Sequence, residues 1–111
     1  MHDLRIRSIE SSHLADLIMI AEETNLNRWT AEHYFEELKN PQAILLRLES
    51  PDNQTIAFIV GRLIPSSSDC RQFDAEIYNI GVRPEFQRKG FGQRILEAFL
   101  AVCDERGAGE V

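Results

Sequence analysis

Several kinds of residue are scarce in this chain, and each scarcity excludes something. Only two of its 111 residues are cysteines, Cys70 and Cys103. They stand far apart and in no metal-ligand spacing, so two free thiols in a reducing compartment are expected. No apolar run approaches the ~20 residues that a membrane span requires. The start, Met1-His2-Asp3-Leu4-Arg5, lacks the apolar segment of a secretory signal. A soluble, cytoplasmic protein without membrane contact is expected. Basic residues are outnumbered 12 to 18, for a formal net charge of −6. Such a balance gives no general basic face for nucleic-acid phosphates. His2, His13 and His33 form no ligand or triad spacing, and no metal is expected. Internal repeats, low-complexity tracts and long linkers are absent.

What remains is an ordinary globular composition, 43% hydrophobic and 27% charged, of a length that suits one domain. Leu4, Ile6 and Ile9 suggest a first strand. Ser11 and Ser12 are expected to cap a helix whose apolar stripe is Leu14, Leu17, Ile18 and Ala21, ended by Asn25 and Asn27. Thr30 should cap a second helix. Trp29 and Tyr34 around it have the spacing of a hydrophobic staple, with Phe35 and Leu38 continuing that face and Asn40-Pro41 stopping it. Residues 43–49 and 55–64 read as strands joined by the turn Pro51-Asp52-Asn53-Gln54. The near-continuous run Ile56-Ala57-Phe58-Ile59-Val60 predicts burial on both faces. Pro65-Ser66-Ser67-Ser68-Asp69 reads as a loop and residues 75–82 as a fourth strand. A third helix from Gly90 or Phe91 buries Ile95, Leu96, Phe99, Val102 and Cys103, with Gly107 as its C-terminal stop. Glu110-Val111 suggests the start of a fifth strand.

Chemistry concentrates in Ile80-Gly81-Val82-Arg83-Pro84-Glu85-Phe86-Gln87-Arg88-Lys89-Gly90-Phe91-Gly92, a strand, a tight loop and a helix start. Unpaired amides and the positive end of a dipole make such a helix start attractive to phosphate. Gly90 and Gly92 permit close approach, and Arg83, Arg88, Lys89 and Arg94 add local positive charge. A P-loop would need Gly-x-x-x-x-Gly-Lys-Ser/Thr, which is absent. A dinucleotide fingerprint would need a third glycine where Ile95 stands.

Val-x-Pro-x-x-Gln-x-x-Gly-x-Gly, from Val82 to Gly92, instead resembles the coenzyme A loop of the GNAT acetyltransferases, and the block from Ala75 to Gly107 resembles that family's motif A. Tyr78-Asn79-Ile80-Gly81-Val82, with Trp29, is most similar to the ribosomal-protein-alanine N-acetyltransferase branch. The resemblance implies an α/β (α+β) fold in the order β-α-α-β-β-β-α. Its sheet is mixed, mainly antiparallel, and flanked by helices. The activity implied is transfer of acetyl from acetyl-CoA to a primary amine, most naturally a protein N-terminal amine. Cofactor contacts fall on Ile80, Gly81 and Val82 for the pantetheine arm, and on Gln87, Arg88, Lys89, Gly90, Phe91 and Gly92 for the pyrophosphate. Glu76 becomes the candidate general base, because Ala75-Glu76-Ile77 resembles the strand that carries the base in the histone-acetylating branch. In the ribosomal-protein branch the base is instead a glutamate on the fifth strand. Tyr78 shares a strand face with Glu76 and reads as packing.

The resemblance further implies that residues 1–111 form a single, incomplete domain. The family's general acid, a tyrosine after the fifth strand, is expected past Val111. Three situations follow: a fragment of a longer enzyme, a homodimer that completes the sheet in trans, or a non-catalytic module that binds coenzyme A or a partner.

Overall fold

A computed structural model describes residues 4–24, 29–65 and 73–109. The elements run β1 (Arg5–Ser8), α1 (Leu14–Glu23), α2 (Ala31–Leu38), β2 (Ala43–Glu49), β3 (Thr55–Pro65), β4 (Phe73–Val82) and α3 (Phe91–Gly109), with short 3-10 turns at Ser11–His13 and Pro84–Phe86. This is the expected order β-α-α-β-β-β-α. The four strands form one antiparallel sheet in the order β1-β2-β3-β4. Helices cover both faces and divide the core in two. Ile44, Leu46, Leu48, Ile59 and Leu63 pack with Ile95, Phe99 and Cys103 of α3. Leu45, Phe58 and Val60 pack on the other face with Leu17, Ile20 and Tyr34 of α1 and α2. The run from Ile56 to Val60 is buried throughout, because β3 is a central strand sandwiched between the helical layers.

The hairpin from β2 to β3 is tied to α1 through a buried arginine. Arg47, 1% exposed, donates from Nε to Thr55 Oγ1 at 2.8 Å and from a terminal nitrogen to the Asn53 carbonyl at 3.0 Å, and pairs with Glu49. Thr55 in turn donates to Asp16 Oδ2 at 3.0 Å. A charge that deep is tolerated because its donors find acceptors.

Local details depart from the sequence reading. Ser11 and Ser12 lie in a 3-10 turn and His13 precedes α1. The His13 ring accepts from the Glu10 amide at 2.9 Å. Asn25 and Asn27 lie outside the described residues; α1 reaches Glu23, and Thr24 Oγ1 donates back to the Ile20 carbonyl at 2.7 Å. Thr30 caps α2 as expected, its Oγ1 accepting from the His33 amide at 3.2 Å. The Trp29 and Tyr34 rings meet at 5.2 Å. Phe35, however, is 44% exposed beneath the Lys39 ammonium. The inward stripe of α2 is instead Tyr34 and Glu37, both buried, with Leu38 half-buried beside them, the i, i+3, i+4 set. Gly107 does not stop α3, which continues through Gly109. Burial of Cys103 and a bond from Arg106 to the Ala43 carbonyl (3.2 Å) hold its last turns, and an interior glycine costs only about 1 kcal/mol. Residues 66–72, which include Cys70 and most of the segment expected as a loop, and Glu110-Val111 lie outside the described residues. Among the described residues no helix is long and apolar enough to cross a membrane.

Candidate functional site

β4 runs directly into the glycine loop. The Arg83 amide bonds to the Ile56 carbonyl at 3.0 Å, which fixes the strand end against β3. Pro84, with its preset φ, opens a 3-10 turn closed by the Phe86 amide on the Arg83 carbonyl at 2.8 Å. Gln87 turns back, its Nε2 donating to the Val82 carbonyl at 3.0 Å. It braces the loop against the strand.

Beyond Gln87 the backbone is left-handed at Arg88 (φ 63°) and at Gly90 (φ 83°). The first amide of the region with a backbone partner is that of Arg94, on the Gly90 carbonyl at 3.0 Å. Among the described residues, none accepts from the amides of Arg88 through Gln93. A Cβ placed on Gly90 would meet nothing within 4 Å, whereas one on Gly92 would touch Val82 Cγ2 at 3.5 Å. Gly90 therefore faces open space, and Gly92 lies close to the strand. Curled backbone, unpaired amides and the positive end of a 19-residue helix together form an anion cradle. Arg88 and Lys89 are exposed beside it. Of the other two cations, Arg94 is engaged elsewhere, donating to the Leu4 carbonyl at 3.1 Å, whereas Arg83 only reaches Met19 Sδ at 3.8 Å and its buried Nε finds no partner among the described residues.

Ile80, Gly81 and Val82 form the end of β4 that leads into this cradle, with Gly81 buried against Phe58. Further back, the ladder slips. Asn79 pairs with Val60 and Ile77 with Gly61, leaving Tyr78 as the extra residue of a β-bulge. Tyr78 and Asn79 consequently both turn towards α2. The buried Asn79 amide reaches Tyr34 Oη at 3.5 Å, and the Tyr78 ring stacks on Trp29 at 5.9 Å.

Glu76 is exposed on the same face of β4 and accepts from Tyr78 Oη at 2.6 Å. Six residues of strand, about 20 Å, separate it from Val82. A ligand anchored by phosphate in the cradle would need an extended arm along β4 to bring its reactive end to that carboxylate. Tyr78 thus does more than pack. Arg62, which belongs to no sequence motif, lies directly across from Glu76 in the ladder. Its guanidinium sits 5.2 Å from the centre of the Tyr78 ring and forms a two-pronged bond, 2.7 Å on each arm, with Glu37 of α2. The sequence signal was a lone cation continuing the inward-facing series Phe58, Val60, Arg62. Among the described residues, no group of three or more His, Cys, Asp and Glu side chains could hold a metal ion.

The model of the acetyltransferase (GNAT) family matches residues 11–111. No curated protein matches the chain. Solved structures with a similar fold include the ribosomal-protein-S18-alanine N-acetyltransferase from Escherichia coli, with a TM-score of 0.75 at 20% identity over 93% of this chain and 61% of that one. Glucosamine-6-phosphate N-acetyltransferase from Arabidopsis thaliana gives 0.77 at 18% identity, over 96% and 78%. An aminoglycoside acetyltransferase from an uncultured soil metagenomic sample gives 0.76 at 20%, over 94% and 72%. The chain thus spans 61% of the length of the Escherichia coli protein.

Proposed function

The chain belongs to the GNAT acetyltransferase family, and from that membership we propose that it binds acetyl-CoA and serves transfer of the acetyl group to a primary amine, in particular a protein N-terminal amine. The observation that carries this reading is the cradle of unpaired amides around left-handed Arg88 and Gly90, set at the end of a strand that can guide an extended arm. The amides from Arg88 to Gly92 would hold the pyrophosphate. The backbone of Ile80, Gly81 and Val82 would pair with the pantetheine arm. Bound there, acetyl-CoA supplies an activated thioester.

The chain's own residues then have one clear task within reach. An ammonium has no lone pair, so the acceptor must lose a proton before its nitrogen can attack the thioester carbonyl. Glu76 would take that proton, a role supported by its exposed carboxylate on β4 and by the bond that Tyr78 donates to one of its oxygens. Attack by that nitrogen would form the C–N bond as the thioester C–S bond breaks, the sulfur leaving as a thiolate that takes up a proton. Asp74 and Glu76, both exposed on β4, would draw a cationic amine towards this strand. The N-terminal acceptor is supported by the Tyr78–Val82 segment and Trp29, which resemble the ribosomal-protein-alanine branch.

The test is acetylation, followed by mass spectrometry, of a short peptide with a free N-terminal alanine, with spermidine and kanamycin as rival acceptors. The peptide should give the highest kcat/KM. Preference for either rival would replace the acceptor. Cofactor binding without transfer to any of them would favour a non-catalytic coenzyme A module. In Glu76→Gln, kcat should fall by roughly 10²–10⁴-fold with acetyl-CoA affinity unchanged.

A further inference from the structure

Granting Glu76 the part of base, we propose that Arg62, held by Glu37, is a positioning residue that fixes the Glu76 carboxylate through the ring and hydroxyl of Tyr78. Four side chains from three elements form an unbroken series. Glu37 of α2 is 4% exposed, a depth at which a carboxylate must be paired. It takes two bonds of 2.7 Å from Arg62 of β3. That two-pronged contact sets the guanidinium plane as well as its position. The guanidinium then lies against the Tyr78 ring at 5.2 Å, and Trp29 stacks on the same ring at 5.9 Å with 29° between planes. Tyr78 sits at the β-bulge, where the ladder does not fix the backbone as firmly as elsewhere. Its side chain is therefore oriented by these contacts, and its hydroxyl ends 2.6 Å from Glu76 Oε1. Glu76 itself is exposed at the sheet edge and has no partner but Tyr78 among the described residues. Without the clamp, both side chains would sample several rotamers.

The charged and titratable groups facing Tyr78 are Glu76 and, by strand alternation, Asp74 from β4, Arg62 from β3 and Glu37 from α2, with His33 beyond Trp29. The bond to Glu76 is the main reason the Tyr78 phenol ionises above its ordinary range; the Arg62 charge acts the other way and outweighs the smaller, opposing effect of the Glu37 charge, so removing both charges would by itself push the phenol further up. Losing the charge and losing the alignment therefore have opposite signs, which a measurement can separate.

Arg62→Met alone would strand a buried carboxylate, so the informative protein is the double variant Glu37→Leu/Arg62→Met, in which the pair is replaced by apolar groups. The ionisation of Tyr78 is followed by 13C NMR of the tyrosine ring carbons, with Tyr78→Phe identifying the signal. In the double variant the phenol should ionise at lower pH than in the parent, back towards 10.0, because the bond to Glu76 is no longer held. An upward move, or none, would show that Arg62 contributes only charge or nothing, and would overturn the proposal. In parallel, kcat for the alanine-terminated peptide should fall on the order of ten- to a hundredfold, with KM for acetyl-CoA within about twofold of the parent value. An unchanged kcat in an active parent would also overturn it. A parent that acetylates nothing, with the phenol shift still observed, would count against the enzymatic reading while leaving the clamp in place.

Discussion

Gly61 and Gly90 are both required by the backbone, for different reasons. At Gly61 a Cβ would lie 2.2 Å from the Glu76 carbonyl and 2.6 Å from Phe99 Cζ. β3, the bulged β4 and α3 all approach there, and neither a strand carbonyl nor a buried ring can easily yield. Gly61→Ala should cost about 1–3 kcal/mol by overpacking, measured as a lower urea midpoint. At Gly90 the space is open but φ is +83°, so Gly90→Ala should cost about 1–2 kcal/mol through left-handed strain alone. Tyr34 offers a test through pH. Burial pushes its phenol up from 10.0 to about 12, with the Asn79 bond opposing. The fold thus favours the neutral phenol. Its stabilising contribution is complete below pH 10 and is lost as pH rises from 10 towards 12. The alkaline fall in stability should be shallower in Tyr34→Phe, as followed by urea denaturation at each pH.

Elements were legible where their signals were local. The hairpin of β2 and β3 could be read because a turn of Pro, Asp and Asn separates two apolar runs, and Asn53 there does adopt a left-handed φ of 66°. The cap and staple of α2 were equally local. Thr30→Ala should cost about 1 kcal/mol, detected as reduced thermal stability. The loop was legible from the whole spacing Val-x-Pro-x-x-Gln-x-x-Gly-x-Gly, Val82 to Gly92, at a strand-to-helix junction; two glycines alone would suit any tight turn before a helix. Signals failed where the deciding partner is distant in sequence. Glu37 displaced Phe35 from the buried face because Arg62, 25 residues later, awaits it. The His13 ring, and not a serine hydroxyl, satisfied the Glu10 amide. Gly107 did not end α3 because Arg106 reaches back to Ala43. The bulge at Tyr78 has no signature in the strand's own pattern; it arises where Gly61 lets β4 and α3 close in.

At the scale of the whole molecule, the two parts of the candidate site lie on opposite sides of the sheet. α3 and its cradle cap the end of β4 from one side. Glu76, Tyr78 and Asn79 look to the other, towards α2. A cosubstrate lying along β4 would reach both. Because it would bind the folded chain and not the unfolded one, acetyl-CoA at a hundred times its Kd should stabilise the protein by about 2.7 kcal/mol, raising Tm by several degrees. Assignment of the cradle to coenzyme A is decided by calorimetric titration of acetyl-CoA into the parent chain and into Gly90→Glu, each first shown to be folded by circular dichroism. A carboxylate at residue 90 would stand in the open space before the unpaired amides. The account predicts binding by the parent and none by the variant. Equal binding by both, or none by the folded parent, would contradict the assignment of the cradle to coenzyme A.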